Sequence, residues 1–149
     1  EQDSTDFEKC LYSTKAPLTF GLGFLGARVD HGLAALNVLY RHAAKPIILV
    51  KKDDIAFLSP TRLTLCLPPG CRISIFPMVP VVGRASTGLR WPIDGLSLAP
   101  GGRVGTSNET VGETVRLEFD RPGALIFLDP EHLPAVVEAL APDFSIRGR

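Results

Sequence analysis

The sequence predicts an α+β chain in two parts, in which an α/β part (residues 1–53) precedes an antiparallel β-sandwich domain (residues 54–149). Two observations carry this prediction. Before residue 54, apolar runs alternate with a helical pattern, which is typical of a parallel sheet. After residue 54, short strands are separated by turns rich in proline and glycine, which is typical of a sandwich or a barrel. A length of 149 residues suits one ordinary domain or two small ones.

The first part reads as a short helix followed by a strand–helix–strand unit. Phe7, Cys10 and Leu11 have the i, i+3, i+4 spacing of one helix face. Residues 17–23 and 47–50 are apolar runs that predict buried strands, and residues 30–42 between them predict a helix. This order predicts two parallel strands joined by a crossover helix.

A G-x-G-x-x-G pattern at Gly21, Gly23 and Gly26 follows the first of these strands, which makes a nucleotide-binding interpretation legitimate. The acidic residue of a dinucleotide site is not cleanly placed, because Asp53 and Asp54 come late. A dinucleotide-binding protein is therefore the weakest alternative. At the start of the next helix, Arg28 could bind a phosphate, or it could be a plain surface cation. Asp30 could bind a metal or a hydroxyl group, or it could simply cap the helix.

The second part predicts strands at residues 55–58, 62–67, 72–76, 81–86, 114–119 and 124–128, closed by a helix at 131–140. Between them, residues 86–108 hold five glycines, the single tryptophan Trp91, and the polar run Thr106-Ser107-Asn108. One interpretation is a pocket for a flat, polar molecule, since a ring supplies area and small side chains supply hydrogen bonds. The other is a set of β-turns around a core tryptophan.

Composition excludes several classes of partner. The chain has 16 lysines and arginines against 16 aspartates and glutamates, so nothing favours a nucleic-acid partner. It has no apolar run of membrane-spanning length, which predicts no membrane association. Three cysteines without C-x-x-C spacing indicate neither a disulfide framework nor a zinc site, and they predict a cytoplasmic protein.

Four segments, taken in order, resemble the thiamine pyrophosphokinase (thiamine diphosphokinase) family: Q-D-S-T-D-F-E-K-C-L, G-A-R-V-D-H-x-L-A, T-G-L-R-W-P-I-D and G-G-R-V-G-T-S-N-E. The resemblance covers nearly the whole chain. It implies transfer of a pyrophosphoryl group from ATP to the hydroxyethyl oxygen of thiamine, giving thiamine diphosphate and AMP, with Mg²⁺. It also implies that residues 1–53 are the C-terminal portion of an ATP- and magnesium-binding α/β domain and that residues 54–149 form a thiamine-binding sandwich with a short C-terminal helix. The protein is implied to be a homodimer with its sites between subunits.

The resemblance assigns the phosphate side of the site to the first part of the chain. Gln2, Thr5 and Asp6 match the family's aspartate-rich motif, and Arg28 and Asp30 match its G-G-R-x-D-H motif. It implies that Gln2, Thr5 and Arg28 bind ATP phosphates. Asp6 and Asp30 are the implied catalytic carboxylates and Mg²⁺ ligands, and the choice of catalytic base between them stays open.

The thiamine side of the site falls to the second part. Trp91 matches the tryptophan that packs on thiamine and reaches into the partner subunit's site, and Ser107 and Asn108 match the T-S-N loop of the same pocket. An indole face suits a planar cation.

The sequence departs from the family pattern in several places. Glu1 stands where aspartate is usual, Ala27 replaces the second glycine of G-G-R, and Ala35 stands where asparagine is frequent. The family's earlier G-D-x-D-S segment does not occur, and the sequence does not begin with methionine. We therefore expect a piece of a longer enzyme. If Glu1 is the true first residue, we expect no catalysis, and the alternative is a truncated, non-catalytic thiamine-binding relative.

Overall fold

The computed structural model describes residues 6–12, 16–26 and 28–143, without the side chains of residues 6 and 12. In chain order its elements are α1 (Asp6–Tyr12), β1 (Thr19–Leu22), α2 (Val29–Arg41), β2 (Ile47–Val50), β3 (Ile55–Leu58), β4 (Arg62–Cys66), β5 (Arg72–Pro77), β6 (Val81–Thr87), β7 (Ser97–Leu98), β8 (Gly105–Glu109), β9 (Thr114–Phe119), β10 (Ala124–Leu128) and α3 (Leu133–Leu140). A 3₁₀ turn at Pro130–His132 precedes α3. Among the described residues, no helix is long and apolar enough to cross a membrane.

The strand–helix–strand prediction is confirmed, because β1 pairs in parallel with β2 and α2 connects them. Gly21 lies within β1, where an added Cβ would come within 2.6 Å of Leu49 Cδ2. Gly23 follows with φ +82, a conformation that favours glycine. Packing and turn geometry therefore account for these two glycines without a dinucleotide.

The short helix α1 is tied to α2 by polar contacts as well as by its buried Phe7 and Leu11. The Glu8 carboxylate, only 1% exposed, lies 2.9 Å from Arg41 Nη1 and 3.3 Å from His42 Nε2. Lys45 Nζ donates to the Leu11 carbonyl oxygen at 2.7 Å. A helix of seven residues is unstable alone, so these contacts with α2 and the residues just after it fix the segment that Asp6 begins.

The strands form two sheets. The larger has the order β1-β2-β3-β10-β5-β8 and the smaller the order β4-β9-β6-β7. Apart from the parallel β1–β2 pair, every pairing between these described strands is antiparallel. Because β2 pairs with β3, hydrogen bonding in the larger sheet continues past residues 53 and 54, where the sequence predicts a domain boundary. That boundary stays a prediction.

The larger sheet is covered on both faces, and each face has its own core. One core lies between the two sheets and includes Phe57, Ile75 and Leu117. The other lies against α1 and α2 and includes Leu39, Leu49 and Leu125. Alternating side chains of one strand enter different cores, as the period of two in a strand requires. The mostly antiparallel, two-sheet architecture agrees with the predicted sandwich.

Two strands of the structure are absent from the sequence-based prediction. β7 and β8 both lie in the stretch interpreted as a pocket or turns. β8 reads G-T-S-N-E and shows no apolar alternation, because it contains no large apolar residue. Its register against β5 is also irregular. The six predicted strands of the second part all occur, with ends that differ by one residue at most.

Removing the Asp120 carboxylate should reduce stability at neutral pH but not in acid. Asp120 Oδ1 accepts a hydrogen bond from Val82 N at 2.7 Å, and this bond, with help from Arg121 and Arg84, holds the pKa of Asp120 below its ordinary 3.8. A lowered pKa contributes stability above pH 3.8 that is lost as the pH falls through the folded-state pKa. We expect Asp120→Ala to lower the free energy of unfolding by about 1.5 kcal/mol at neutral pH. Urea unfolding at neutral and strongly acidic pH tests this; an equal difference at both would contradict it.

Candidate functional site

The Trp91 side chain stands at the rim of a cleft between the turn that follows β6 and strands β7 and β8. The cleft has a volume of about 180 Å³ and is lined by Trp91, Pro92, Ile93, Leu96, Leu98, Arg103, Val104, Gly105, Thr106 and Asn108. Trp91 is 53% exposed, so the interpretation of Trp91 as a core residue is wrong. Its ring offers apolar area to whatever enters the cleft.

The backbone of Trp91 is fixed by one buried side chain. Asn108, 6% exposed, accepts from Trp91 N at 3.2 Å and donates through Nδ2 to the Trp91 carbonyl oxygen at 2.8 Å. Its Oδ1 also accepts from Glu109 N at 2.8 Å. The amide of Asn108 is therefore engaged with the backbone, and its effect on a ligand passes through Trp91.

The other end of the tryptophan turn is held by Ser86. Its hydroxyl donates to Asp94 Oδ1 and accepts from Ile93 N at 3.0 Å. With Asn108 binding Trp91 and Ser86 binding Ile93, the intervening turn is anchored at both ends. The indole is thus presented from a rigid support, which lowers the entropy lost when a ligand binds.

One side of the indole already carries a cation. Arg90 Cζ lies 4.8 Å from the ring centroid of Trp91. The same guanidinium donates to Glu109 Oε2 at 3.0 Å, which keeps it in place. A ring that attracts a guanidinium in this way is equally suited to a planar organic cation on its other face.

Ser107 adopts the left-handed conformation, with φ +60, which is uncommon for any residue except glycine. Its N–H donates to Ser74 Oγ at 2.9 Å. Ser107 is exposed, next to the cleft-lining Thr106 and Asn108. The sequence indicates Ser107 and Asn108 through the T-S-N motif but gives no signal for Ser74, which lies on β5, 33 residues away in the chain.

Arg28 and Asp30 meet at the start of α2, where the sequence predicts them. Arg28 Nε and Nη2 donate to the two carboxylate oxygens of Asp30 at 3.1 and 2.6 Å, and His31 N donates to Asp30 Oδ1 at 2.9 Å. The bond from Arg28 is the main cause that lowers the pKa of Asp30. Both side chains are exposed, and the arginine remains open to a phosphate.

The structure does not describe the side chains of three predicted site residues. Gln2 and Thr5 lie outside the described residues, and so does the side chain of Asp6, whose backbone begins α1. Within the part of the chain that is described, no three His, Cys, Asp or Glu side chains come together as a metal site. Magnesium does not need such a cluster, because one or two carboxylates together with water and the phosphates of a substrate usually hold it.

A second cavity lies between α2 and the outer face of the larger sheet. It has a volume of about 340 Å³ and is lined by Leu33, Leu36, Asp54, Arg72, Ser74, Phe76, Met78, Thr106, Leu125 and Phe127. Arg72 is held there by Asp54 at 2.6 Å and Asp129 at 2.8 Å. Thr106 lines both cavities, so the T-S-N strand separates the tryptophan cleft from the cavity against α2.

Gly88, at the entry to the tryptophan turn, should tolerate no side chain. It has φ +81, and an added Cβ would lie 2.1 Å from the Thr114 carbonyl oxygen. We expect Gly88→Ala to lower the free energy of unfolding by about 3 kcal/mol or more, since backbone would have to move. Gly95→Ala is the matched control, with φ +75 and open space, and should cost about 1 kcal/mol. Equal losses in urea unfolding would show that the contact with Thr114 is unimportant.

The comparisons with known proteins agree on one family. The model of the thiamin pyrophosphokinase, vitamin B1 binding domain, matches residues 63–123. Thiamine pyrophosphokinase 1 of Oryza sativa subsp. japonica is 35% identical over 135 residues, which cover 80% of this chain and 51% of that protein. Thiamine pyrophosphokinase 1 of Arabidopsis thaliana is 32% identical over the same shares of the two chains.

A solved structure shares the fold. The thiamin pyrophosphokinase of Geobacillus thermodenitrificans superposes with a TM-score of 0.72 at 24% identity, over 89% of this chain and 66% of that one. The chain spans about half the length of the curated relatives it matches. The matched domain contains the whole tryptophan cleft, and together with the two relatives and the shared fold it establishes that this chain belongs to the thiamine pyrophosphokinase family.

Proposed function

We propose that the protein transfers a pyrophosphoryl group from ATP to thiamine and so produces thiamine diphosphate and AMP. The observation that carries the proposal is the half-exposed indole of Trp91, mounted on a backbone that Asn108 fixes, inside the segment that matches a vitamin B1 binding domain. In this reaction the hydroxyethyl oxygen of thiamine forms a bond to the β-phosphorus of ATP. The bond from that phosphorus to the oxygen of AMP breaks, and the hydroxyl proton leaves.

Thiamine enters the tryptophan cleft in this proposal. Its flat, cationic rings stack on the face of Trp91 that Arg90 does not cover, where the ring quadrupole attracts positive charge. The hydroxyl of Ser107 and, through Trp91, the amide of Asn108 set the orientation of the bound molecule. Orienting the acceptor hydroxyl toward ATP supplies the proximity on which phosphoryl transfer depends.

ATP binds at the start of α2, with Gln2, Thr5 and Arg28 on its phosphates. Arg28 offsets the charge of the transferring group. Because its pKa is lowered by Arg28, Asp30 is a weak base, and we assign it to holding the arginine in place. Removal of the hydroxyl proton then falls to Asp6, the first residue of α1.

Magnesium is part of the proposed reaction, because phosphates that carry several negative charges need a cation that neutralises charge as the bond breaks. The described residues do not form a site for the ion by themselves. Asp6 and Asp30 remain the proposed ligands, and no step above depends on the ion.

The active unit in this proposal is a cytoplasmic homodimer. The tryptophan cleft of one chain, at about 180 Å³, is below the roughly 300 Å³ at which pockets usually enclose a ligand. Large apolar side chains are exposed around the two cavities, namely Leu33, Phe76, Trp91 and Val104. A second copy would cover this surface and bring Trp91 of one subunit to Arg28 of the other.

The test is an assay with ATP, Mg²⁺ and thiamine in which thiamine diphosphate and AMP are both quantified by chromatography. We expect the two products in equal amounts. Thiamine binding by calorimetry without either product would instead favour the non-catalytic relative. If the protein neither binds thiamine nor forms either product, the proposed function is overturned.

A further inference from the structure

The T-S-N segment is not a regular strand, because β8 carries one residue more than β5 can pair. Ile73 pairs with Asn108 and Ile75 with Gly105, so two residues of β8 lie opposite Ser74 alone. These two are Thr106 and Ser107. Two residues opposite one is the definition of a β-bulge, a feature that re-aims side chains and recurs next to active sites.

This bulge decides where the side chain of Asn108 points. Shifting a strand by one residue moves each side chain to the opposite face of the sheet. The extra residue at Ser107 therefore determines that Asn108 faces the Trp91 backbone. The side-chain amide of Asn108 makes hydrogen bonds of 2.8 and 3.2 Å to that backbone. The placement of the indole thus depends on the bulge.

The bulge in turn depends on a hydroxyl group of β5. Ser107 sits at φ +60, a conformation in which a side chain is unfavourable. Its N–H donates to Ser74 Oγ at 2.9 Å, and Ser74 itself is only 7% exposed. An alanine at position 74 would leave that N–H without the acceptor that stabilises the left-handed conformation.

We propose that Ser74 is a positioning residue for thiamine, acting through the bulge at Ser107 and the amide of Asn108 on the indole of Trp91. This inference rests on the proposed function and extends it to a residue outside the T-S-N motif. Ser74 also lines the cavity against α2, but its hydroxyl binds Ser107 of β8, whereas Arg28 and Asp30 at the start of α2 bind each other. Its loss should therefore affect thiamine far more than ATP.

The experiment compares Ser74→Ala and Ser74→Thr with wild type. Ser74→Ala should raise the KM for thiamine about tenfold, the equivalent of one lost hydrogen bond, with the KM for ATP changed less than about twofold. Ser74→Thr keeps an acceptor oxygen in a strand and should stay near wild type. If Ser74→Ala does not fold, Ser74→Cys takes its place, since a thiol keeps the volume but accepts weakly.

The matched control is Ser59→Ala. Ser59 is 1% exposed, and its hydroxyl donates to the Pro60 carbonyl oxygen at 2.8 Å, outside both cavities. It should leave the KM for thiamine unchanged. A second readout is hydrogen exchange of the Ser107 amide, which should quicken in Ser74→Ala and stay slow in Ser74→Thr.

If the wild type is active and Ser74→Ala has an unchanged KM for thiamine, the positioning role of Ser74 is overturned and the proposed function is not. An equal rise in Ser59→Ala and Ser74→Ala would overturn it as well, because general loosening would then explain both. A wild-type protein that makes no thiamine diphosphate would overturn the proposed function, a result distinct from the other two.

Discussion

Replacing Trp91 with alanine is expected to raise the KM for thiamine about 100-fold, which corresponds to roughly 3 kcal/mol of lost stacking and cation–π interaction. The indole is the largest exposed apolar surface of the cleft, and no neighbouring lining residue is aromatic. Steady-state kinetics with thiamine and ATP varied separately measure the effect. The KM for ATP should change little, because Arg28 and Asp30 contact each other and not the tryptophan turn.

The protein should remain folded after this substitution. About half of the Trp91 surface is already in water, and its hydrogen bonds to Asn108 involve only its backbone. Trp91→Phe is the control, since a smaller ring should recover most of the affinity. Thermal unfolding followed by circular dichroism checks the fold. Loss of the folded state, with no folded variant left to assay, would mean that the tryptophan acts mainly by packing.

Where the sequence pattern is periodic, it predicts the fold well. The alternation of Val115, Leu117 and Phe119 places β9 correctly, and the parallel pair around α2 follows from two apolar runs and the helix between them. These elements are predictable because burial of one face imposes a period on the residues. The boundary at residues 53 and 54 rests on a change in this pattern alone, and the sheet that crosses it shows no break in hydrogen bonding.

The predictions are incomplete where side chains bind the backbone of distant segments. β8 is missed because G-T-S-N-E contains no large apolar residue to alternate, although its residues are recognised as a motif. Asn108 is recognised as a pocket residue, but its contacts with Trp91, 17 positions away, appear only in the structure. The same holds for Ser74, whose partner is 33 positions away. Local sequence patterns carry no information about such pairs.

The proposed dimer site makes a prediction that a site within one chain cannot match. A Trp91→Ala subunit lacks the thiamine side, and an Arg28→Ala subunit lacks the phosphate side, so each homodimer should lose about 100-fold or more in kcat/KM. If each site combines Trp91 of one subunit with Arg28 of the other, a mixed dimer has one site with both residues intact and one with both removed. Refolding the two variants together in equal amounts should therefore recover about one quarter of wild-type activity, because half of the dimers are mixed and each has one working site.

The two arrangements differ because complementation depends only on which chain supplies each residue. If Trp91 and Arg28 of the same chain formed one site, each site of a mixed dimer would keep one substitution, and activity would stay at the level of the parent variants. The Ser59→Ala variant mixed with Arg28→Ala provides the reference for refolding yield, since half of its sites should be active whether a site lies within one chain or between two. Recovery of about one quarter requires, beyond a dimer, that the indole anchored by Asn108 serves the neighbouring chain. The half-exposed ring of Trp91 would then contact thiamine that is bound beside Arg28 of the other subunit.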